Sequence, residues 1–136
     1  MRLRLAAYAF SLDRGRVLLC RISSGNADAR HWTLPGGGLD PGEHPAVGMH
    51  RELHEETGLT GEIRGLVGVD SRVYENEGFD RLQSIRIVYD VACRGEPRVT
   101  EVGGSVDRSQ WIPLEDLGDL PVVDLVEYAI TAAGLG

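Results

Sequence analysis

Residues 37–59 read GGLDPGEHPAVGMHRELHEETGL, and the segment Arg51-Glu52-Leu53-His54-Glu55-Glu56 lies inside them. Proline suits the first position of a helix and glycine the residue just past its end, so Pro45 and Gly58 bracket an expected helix. On that helix Glu52, Glu55 and Glu56 stand at i, i+3 and i+4, which puts three carboxylates on one face. Like charges so placed repel by roughly 0.2–0.5 kcal/mol per exposed pair, so stability alone would not select them. A hard divalent cation turns the repulsion into a binding site, because magnesium takes oxygen ligands from carboxylates and substrate phosphates. Ala46, His50 and Leu53 fall roughly opposite and are expected to face the core.

The pattern on either side supplies the rest of a mixed α/β chain. Residues 3–12 and 16–22 are apolar runs around the turn Asp13-Arg14-Gly15, which predicts a hairpin. Residues 23–30 are polar and read as a loop, and His31–Leu34 as a short strand halted by Pro35. Gly36-Gly37-Gly38 predicts irregular backbone that only glycine adopts cheaply. Residues 62–74 and 81–93 alternate as strands and are joined by a loop from Glu75 to Asp80. Residues 95–107 read as loop, Trp111-Ile112-Pro113 as a short extended piece, and Val122–Ala133 as the closing helix. No repeat or linker interrupts this order, and residues 1–136 are expected to form one domain.

Composition narrows the function classes. The chain has 136 residues, a net charge of −7, and 14 basic residues, all of them arginine. Without lysine neither a Schiff-base mechanism nor a P-loop is possible. The acidic balance argues against a nucleic-acid polymer or an anionic membrane as partner, while a few arginines and a bridging metal still suffice for one nucleotide. The apolar start of the chain is cut short by Tyr8, Ser11 and Asp13-Arg14, which favours a first strand over a signal peptide and a cytoplasmic location. Cys20 and Cys93 lack a CxxC spacing and are expected to be buried free thiols.

Gly37, five residues, Glu43, seven residues, Arg51-Glu52-Leu53, one residue, Glu55-Glu56, one residue, Gly58-Leu59 resembles the complete Nudix box. Trp32-Thr33-Leu34-Pro35-Gly36-Gly37 and Trp111-Ile112-Pro113-Leu114 are similar to the flanks of Nudix hydrolases. The resemblance implies an α/β/α sandwich around a mixed β-sheet. It also implies a hydrolase of nucleoside diphosphates linked to another moiety, with magnesium or manganese as cofactor. Carried over position by position, Glu52, Glu55 and Glu56 would be metal ligands, Glu52 also the candidate base for the attacking water, and the Gly36 carbonyl a backbone ligand. Arg51 and Glu43 would orient the glutamates and brace the loop. The family often adds an acid from a late loop, for which Glu101 and Asp107 are the candidates.

Other candidates rest on residue type. Arg21 and Arg30 flank the loop before Trp32 and could meet phosphates; Tyr74 and Phe79 border the 75–80 loop and could stack on a base. Plain readings stand beside these, as surface arginines, packed aromatics and solvated loop acids. His50 and His54 are four apart, but the glutamate between them is misplaced for a zinc peptidase. The proline downstream of the box in ADP-ribose hydrolases is absent from residues 72–77, which read Arg-Val-Tyr-Glu-Asn-Glu. A short 75–80 loop suits a nucleoside triphosphate. The alternative function is a Nudix-fold nucleotide-binding or regulatory domain without catalysis, and the oligomeric expectation is a monomer or homodimer. Clustered carboxylates also favour an alkaline optimum.

Overall fold

A computed structural model describes residues 1–26, 28–75 and 81–135. Its strands are β1 (Arg2–Phe10), β2 (Leu12–Asp13), β3 (Arg16–Ile22), β4 (Trp32–Thr33), β5 (Gly36–Gly38), β6 (Gly61–Glu75), β7 (Arg81–Cys93) and β8 (Val106–Pro113). Two α-helices, α1 (Pro45–Thr57) and α2 (Asp124–Ala132), and a 3-10 turn at Leu114–Asp119 complete it.

Strand β1 organises the molecule. Ala6, Ala7, Tyr8, Ala9 and Phe10 are buried in succession, which requires cover on both faces. Tyr8 and Phe10 turn toward α2, packing with Leu125, Val126 and Ala129, while Ala7 and Ala9 turn toward α1, packing with Met49 and Leu53. This is a sandwich of helix, mixed sheet and helix. A run buried on both sides also needs neighbours at both edges, and β1 has them: it pairs in parallel with β7 and antiparallel with β5. The expected hairpin of residues 3–12 with 16–22 is therefore corrected. Its turn forms, but only β2 pairs with β3, and β3 joins β4 and β8 in a second sheet.

The glycine triplet is a further correction. Gly36–Gly38 is a short strand against Ala6–Tyr8, not irregular backbone, although Gly36 does hold a φ of 148°. A Cβ there would collide with the Ala7 carbonyl and the Tyr8 ring, so only glycine lets this strand lie so close to β1. The strands at 62–74 and 81–93 form β6 and β7, and Trp111–Pro113 is the end of the longer strand β8. The 75–80 loop, Phe79 included, lies outside the described residues apart from Glu75. Cys20 and Cys93 are buried free thiols. Among the described residues no helix is long and apolar enough to cross a membrane.

Candidate active site

Helix α1 begins and ends as its sequence requires. His44 accepts at Nδ1 from the Ala46 N–H (3.0 Å), and Gly58 closes the helix at φ 70° with its N–H donating to the His54 carbonyl (2.8 Å). The segment after β7 satisfies more of the helix's last carbonyls. Arg98 N–H donates to Thr57, and Thr100 donates to Glu55 through both N–H and hydroxyl. That docking carries the next residue, Glu101, close enough for its charge to raise the affinity of Glu52 for a proton.

The buried side of α1 is Gly48, Met49, Leu53, Glu56 and Thr57. The expectation of Ala46, His50 and Leu53 holds for Leu53; the other two are only half-buried. The acidic face is not wholly opposed to the core either, because Glu56 is just 4% exposed. Its Oε1 accepts the Gly36 N–H at 2.8 Å, and its Oε2 accepts the Ser105 hydroxyl at 3.3 Å. Burial pushes the Glu56 carboxyl up to about 8, and the charges of Glu52 and Glu55 push the same way against those hydrogen bonds. Burial likewise raises Glu52, with Arg51 opposing and Glu55 and Glu101 adding. Gly37 lies over Glu52, where a Cβ would stand 3.2 Å from its carboxylate.

Arg51 ties the acidic loop to the helix. Nε and Nη2 each donate to Glu43 at 2.9 Å, a two-pronged pair, while Nη1 donates to Glu52 at 3.0 Å and lies 3.7 Å from Glu55. The Asp40 N–H reaches the same Glu43 at 3.0 Å. Arg51 therefore holds Glu43 down at about 2, and is itself held more firmly protonated.

Glu52, Glu56 and the Gly36–Gly38 backbone line one open cleft of about 420 Å³, with Arg4 and Tyr8 on its floor. An adjoining cleft of about 480 Å³ shares Arg4 and Tyr8 and runs between β7 and the start of α2. Its floor is polar and buried. Arg86, 4% exposed, donates through Nη1 to Asp124 and to the Tyr74 hydroxyl, both at 3.0 Å, and pairs through Nη2 with Asp70. Against its burial, the bonds from Asp70 and Asp124 keep Arg86 charged. Arg86 Nε and the Ser84 hydroxyl, both buried, have no hydrogen-bond partner among the described residues.

The sequence candidates divide accordingly. Glu52, Glu56 and Gly36 share the first cleft; Glu55 is half-buried and outside that lining, 3.7 Å from Arg51, which with Glu43 joins the cleft through Glu52. Tyr74 lies in the second cleft as a partner of Arg86. Arg21 and Asp107 bond each other at 2.8 Å, and neither lines the glutamate cleft. Arg30 is exposed, and it too is absent from that lining. Arg4, Tyr8, Ser84, Arg86 and Asp124 were missed. The signal for two of them was present, since Ser84 and Arg86 share the strand parity of buried Val88 and so place polar groups on an inward face.

Hard oxygen donors from Glu52 and Glu56 in one open, glycine-walled cleft fit magnesium or manganese chemically. Among the described residues, no three His, Cys, Asp or Glu side chains close into a ready-made ligand cage. The fit is thus one of donor chemistry on a common face.

A glycine-cradled carboxylate helix on a mixed sheet defines a Nudix hydrolase, and the comparisons agree. The chain belongs to the Nudix family: the NUDIX domain model matches residues 2–132. A nucleoside triphosphatase NudI from Enterobacter sp. (strain 638) is 25% identical over 99% of both chains. Human diphosphoinositol polyphosphate phosphohydrolase 3-alpha is 38% identical, but over 48% of this chain and 39% of its own length. Among solved structures, a MutT Nudix hydrolase from Burkholderia pseudomallei superposes with a TM-score of 0.79 at 26% identity, covering 97% of this chain and 98% of its own. The MutT protein of Methanosarcina mazei Go1 gives 0.78 at 25% identity, covering 98% and 94%.

Proposed function

We infer that the protein hydrolyses a phosphoanhydride bond in a nucleoside diphosphate linked to another moiety, and that its natural class of substrate is a nucleoside triphosphate or nucleotide sugar. The observation that carries this reading is the pairing of Glu52 and Glu56 beneath the Gly36–Gly38 strand in an open cleft that continues into a second one. The full-length similarity to a protein named as a nucleoside triphosphatase supports the triphosphate end of that range.

Glu52, Glu55 and Glu56, the Gly36 carbonyl and Glu101 are the residues that would hold magnesium or manganese. When bound, the ion would supply positive charge to the phosphate oxygens. Of the late-loop acids, Glu101 is favoured because its charge is felt at Glu52, whereas Asp107 is committed to Arg21. Glu52 is the base that takes the proton of the attacking water, its affinity for that proton raised by burial. Arg51 and Glu43 position it. Arg4 stands at the junction of the clefts, where a phosphate chain passes. The second cleft takes the rest of the substrate, with the Ser84 hydroxyl and Arg86 Nε–H as unspent donors for its acceptor atoms. Residues 1–136 are read as one cytoplasmic domain acting on a small molecule, not on a nucleic-acid polymer or a membrane.

The test is a phosphate and pyrophosphate release screen over nucleoside triphosphates, nucleotide sugars and dinucleotides with magnesium. Turnover of at least one class, abolished by chelation, is expected. Nucleotide binding without turnover of any of them would establish the alternative, a regulatory binding domain.

A further inference from the structure

Strand β5 forms one edge of the sheet ordered β5-β1-β7-β6, and all its residues are glycine. Neighbouring residues of a strand face opposite sides of the sheet. A Cβ on Gly37 would stand 3.2 Å from the Glu52 carboxylate, whereas one on Gly38 would stand 3.8 Å from Nε and Nη2 of Arg4. Glu52 and Arg4 therefore lie on the two sides of one edge strand, yet both line the same cleft. A ligand that touches both must cross that edge, and the missing side chains leave it room to do so.

Charge says what such a ligand carries across. Among the described residues that line the glutamate cleft, Arg4 is the one cation, beside the acids Glu52, Glu56 and Asp28. The second cleft adds Arg86, which Asp70 and Asp124 already neutralise. Arg51 is closer to Glu52 but spends its fork on Glu43. Arg4 has no carboxylate partner among the described residues. Its one hydrogen bond runs from Nη1 to the Tyr8 hydroxyl at 3.4 Å, longer than an ordinary contact of that kind. The rest of the guanidinium is a planar fork that suits two oxygens of one phosphate.

We propose that Arg4 is a catalytic residue of the phosphoanhydride hydrolysis inferred above, gripping the phosphate on the leaving side of the scissile bond once the phosphate chain has crossed the Gly36–Gly38 edge. The proposal rests on that reading of the site. In the step, the water oxygen bonds to the phosphorus on the glutamate side and its proton passes to Glu52. The bond from that phosphorus to the bridging oxygen breaks, and the oxygen departs with the electron pair as part of the phosphate that Arg4 holds. The guanidinium offsets the negative charge that builds there, so it binds the transition state more strongly than the substrate.

Steady-state kinetics on the substrate found by the release screen tests the assignment. Arg4 is exposed, so Arg4→Gln should fold with an unchanged Tm and an unchanged magnesium requirement. Its kcat should fall roughly 10²–10³-fold, the usual cost of removing one donor to a developing negative charge. Arg4→Lys restores the charge without the fork and should recover part of that loss. Arg64→Gln removes the same charge from an exposed pair with Asp90, in neither cleft, and should match the wild type. An Arg4→Gln protein as active as the wild type overturns the proposal and leaves the phosphoanhydride reading standing. So does a loss that Arg4→Lys does not lessen, or one that Arg64→Gln shares. A wild-type protein that releases nothing from any substrate fails the phosphoanhydride reading first, and Arg4 with it.

Discussion

Arg51 grips Glu43 through two nitrogens, Nε and Nη2, each 2.9 Å from a carboxylate oxygen, while its third nitrogen holds Glu52. One planar fork thereby fixes the loop before α1 and the carboxylate assigned as base. A lysine is a single point of charge and cannot span the two. Arg51→Lys should keep the fold, as judged by circular dichroism, yet lower kcat by roughly 10–100-fold, the usual cost of losing an orienting partner. A KM largely unchanged would mark the loss as one of positioning.

Glu52→Gln removes the charge and keeps the volume. A base contributes about 10²–10⁴-fold, so kcat should fall by that factor with the protein still folded. Steady-state kinetics on the substrate from the release screen decides this, and near-normal turnover would remove Glu52 from its role.

Glu56 couples pH to metal and to stability. Its carboxyl, raised to about 8, is protonated at neutral pH, and a cation must displace that proton. Magnesium affinity should rise about tenfold per pH unit below 8 and level off above it, with about one proton released per ion at pH 7. Calorimetry in two buffers of different ionisation enthalpy measures the release. For the metal-free protein the sign follows from folded above unfolded pKa. The stabilising contribution is complete below about 4.5 and is lost as pH rises through 8, so Tm should decline across that window. Glu56→Gln should flatten the decline and abolish the proton release.

Glu101 and Asp107 lie six positions apart in sequence with opposite attachments. Glu101→Gln should raise the magnesium concentration needed for half-maximal activity. Asp107→Asn removes the charge that pairs with Arg21 at 2.8 Å on an exposed edge and should leave that requirement unchanged. Metal titrations of the two variants separate them, and the reverse pattern would reassign the late-loop acid.

Gly36→Ala asks a side chain to occupy the space of the Ala7 carbonyl and the Tyr8 ring at a φ of 148°. Strain of that kind costs on the order of 1–3 kcal/mol before any clash is counted. Urea unfolding should show at least that loss, and activity should fall with it as the Gly36–Glu56 bond is displaced.

The carboxylate helix was readable because its signals are local. Pro45, Gly58 and the spacing of Glu52, Glu55 and Glu56 act within a few residues of one another. The partner of β1 was not readable in that way. Residues 3–12 and 16–22 carry the same apolar pattern as a hairpin, and only burial on both faces sends β1 to β5 and β7. Likewise Arg21 and Asp107 each looked available for ligand, because nothing local to either reveals a partner 86 positions away. The second cleft was hidden for a related reason. Ser84, Arg86, Asp70 and Asp124 converge from β6, β7 and α2, and only Tyr74, named for its ring, and the polar parity of β7 pointed to it in the chain.

The parallel pairing of β1 with β7 joins Arg2–Phe10 to residues 82–90, a separation of 80 positions held along nine consecutive registers. On a ribosome the first strand emerges early and can meet Gly36–Gly38 soon after, but its other edge has no partner until Asp90 has left the exit tunnel. Contacts so distant in sequence form slowly, and unpaired strand edges are where nascent chains associate wrongly. The floor of the substrate clefts is thus begun by the first strand and completed only when β7 arrives, and a chain interrupted before β7 would carry Glu52, Glu55 and Glu56 without the platform on which to use them.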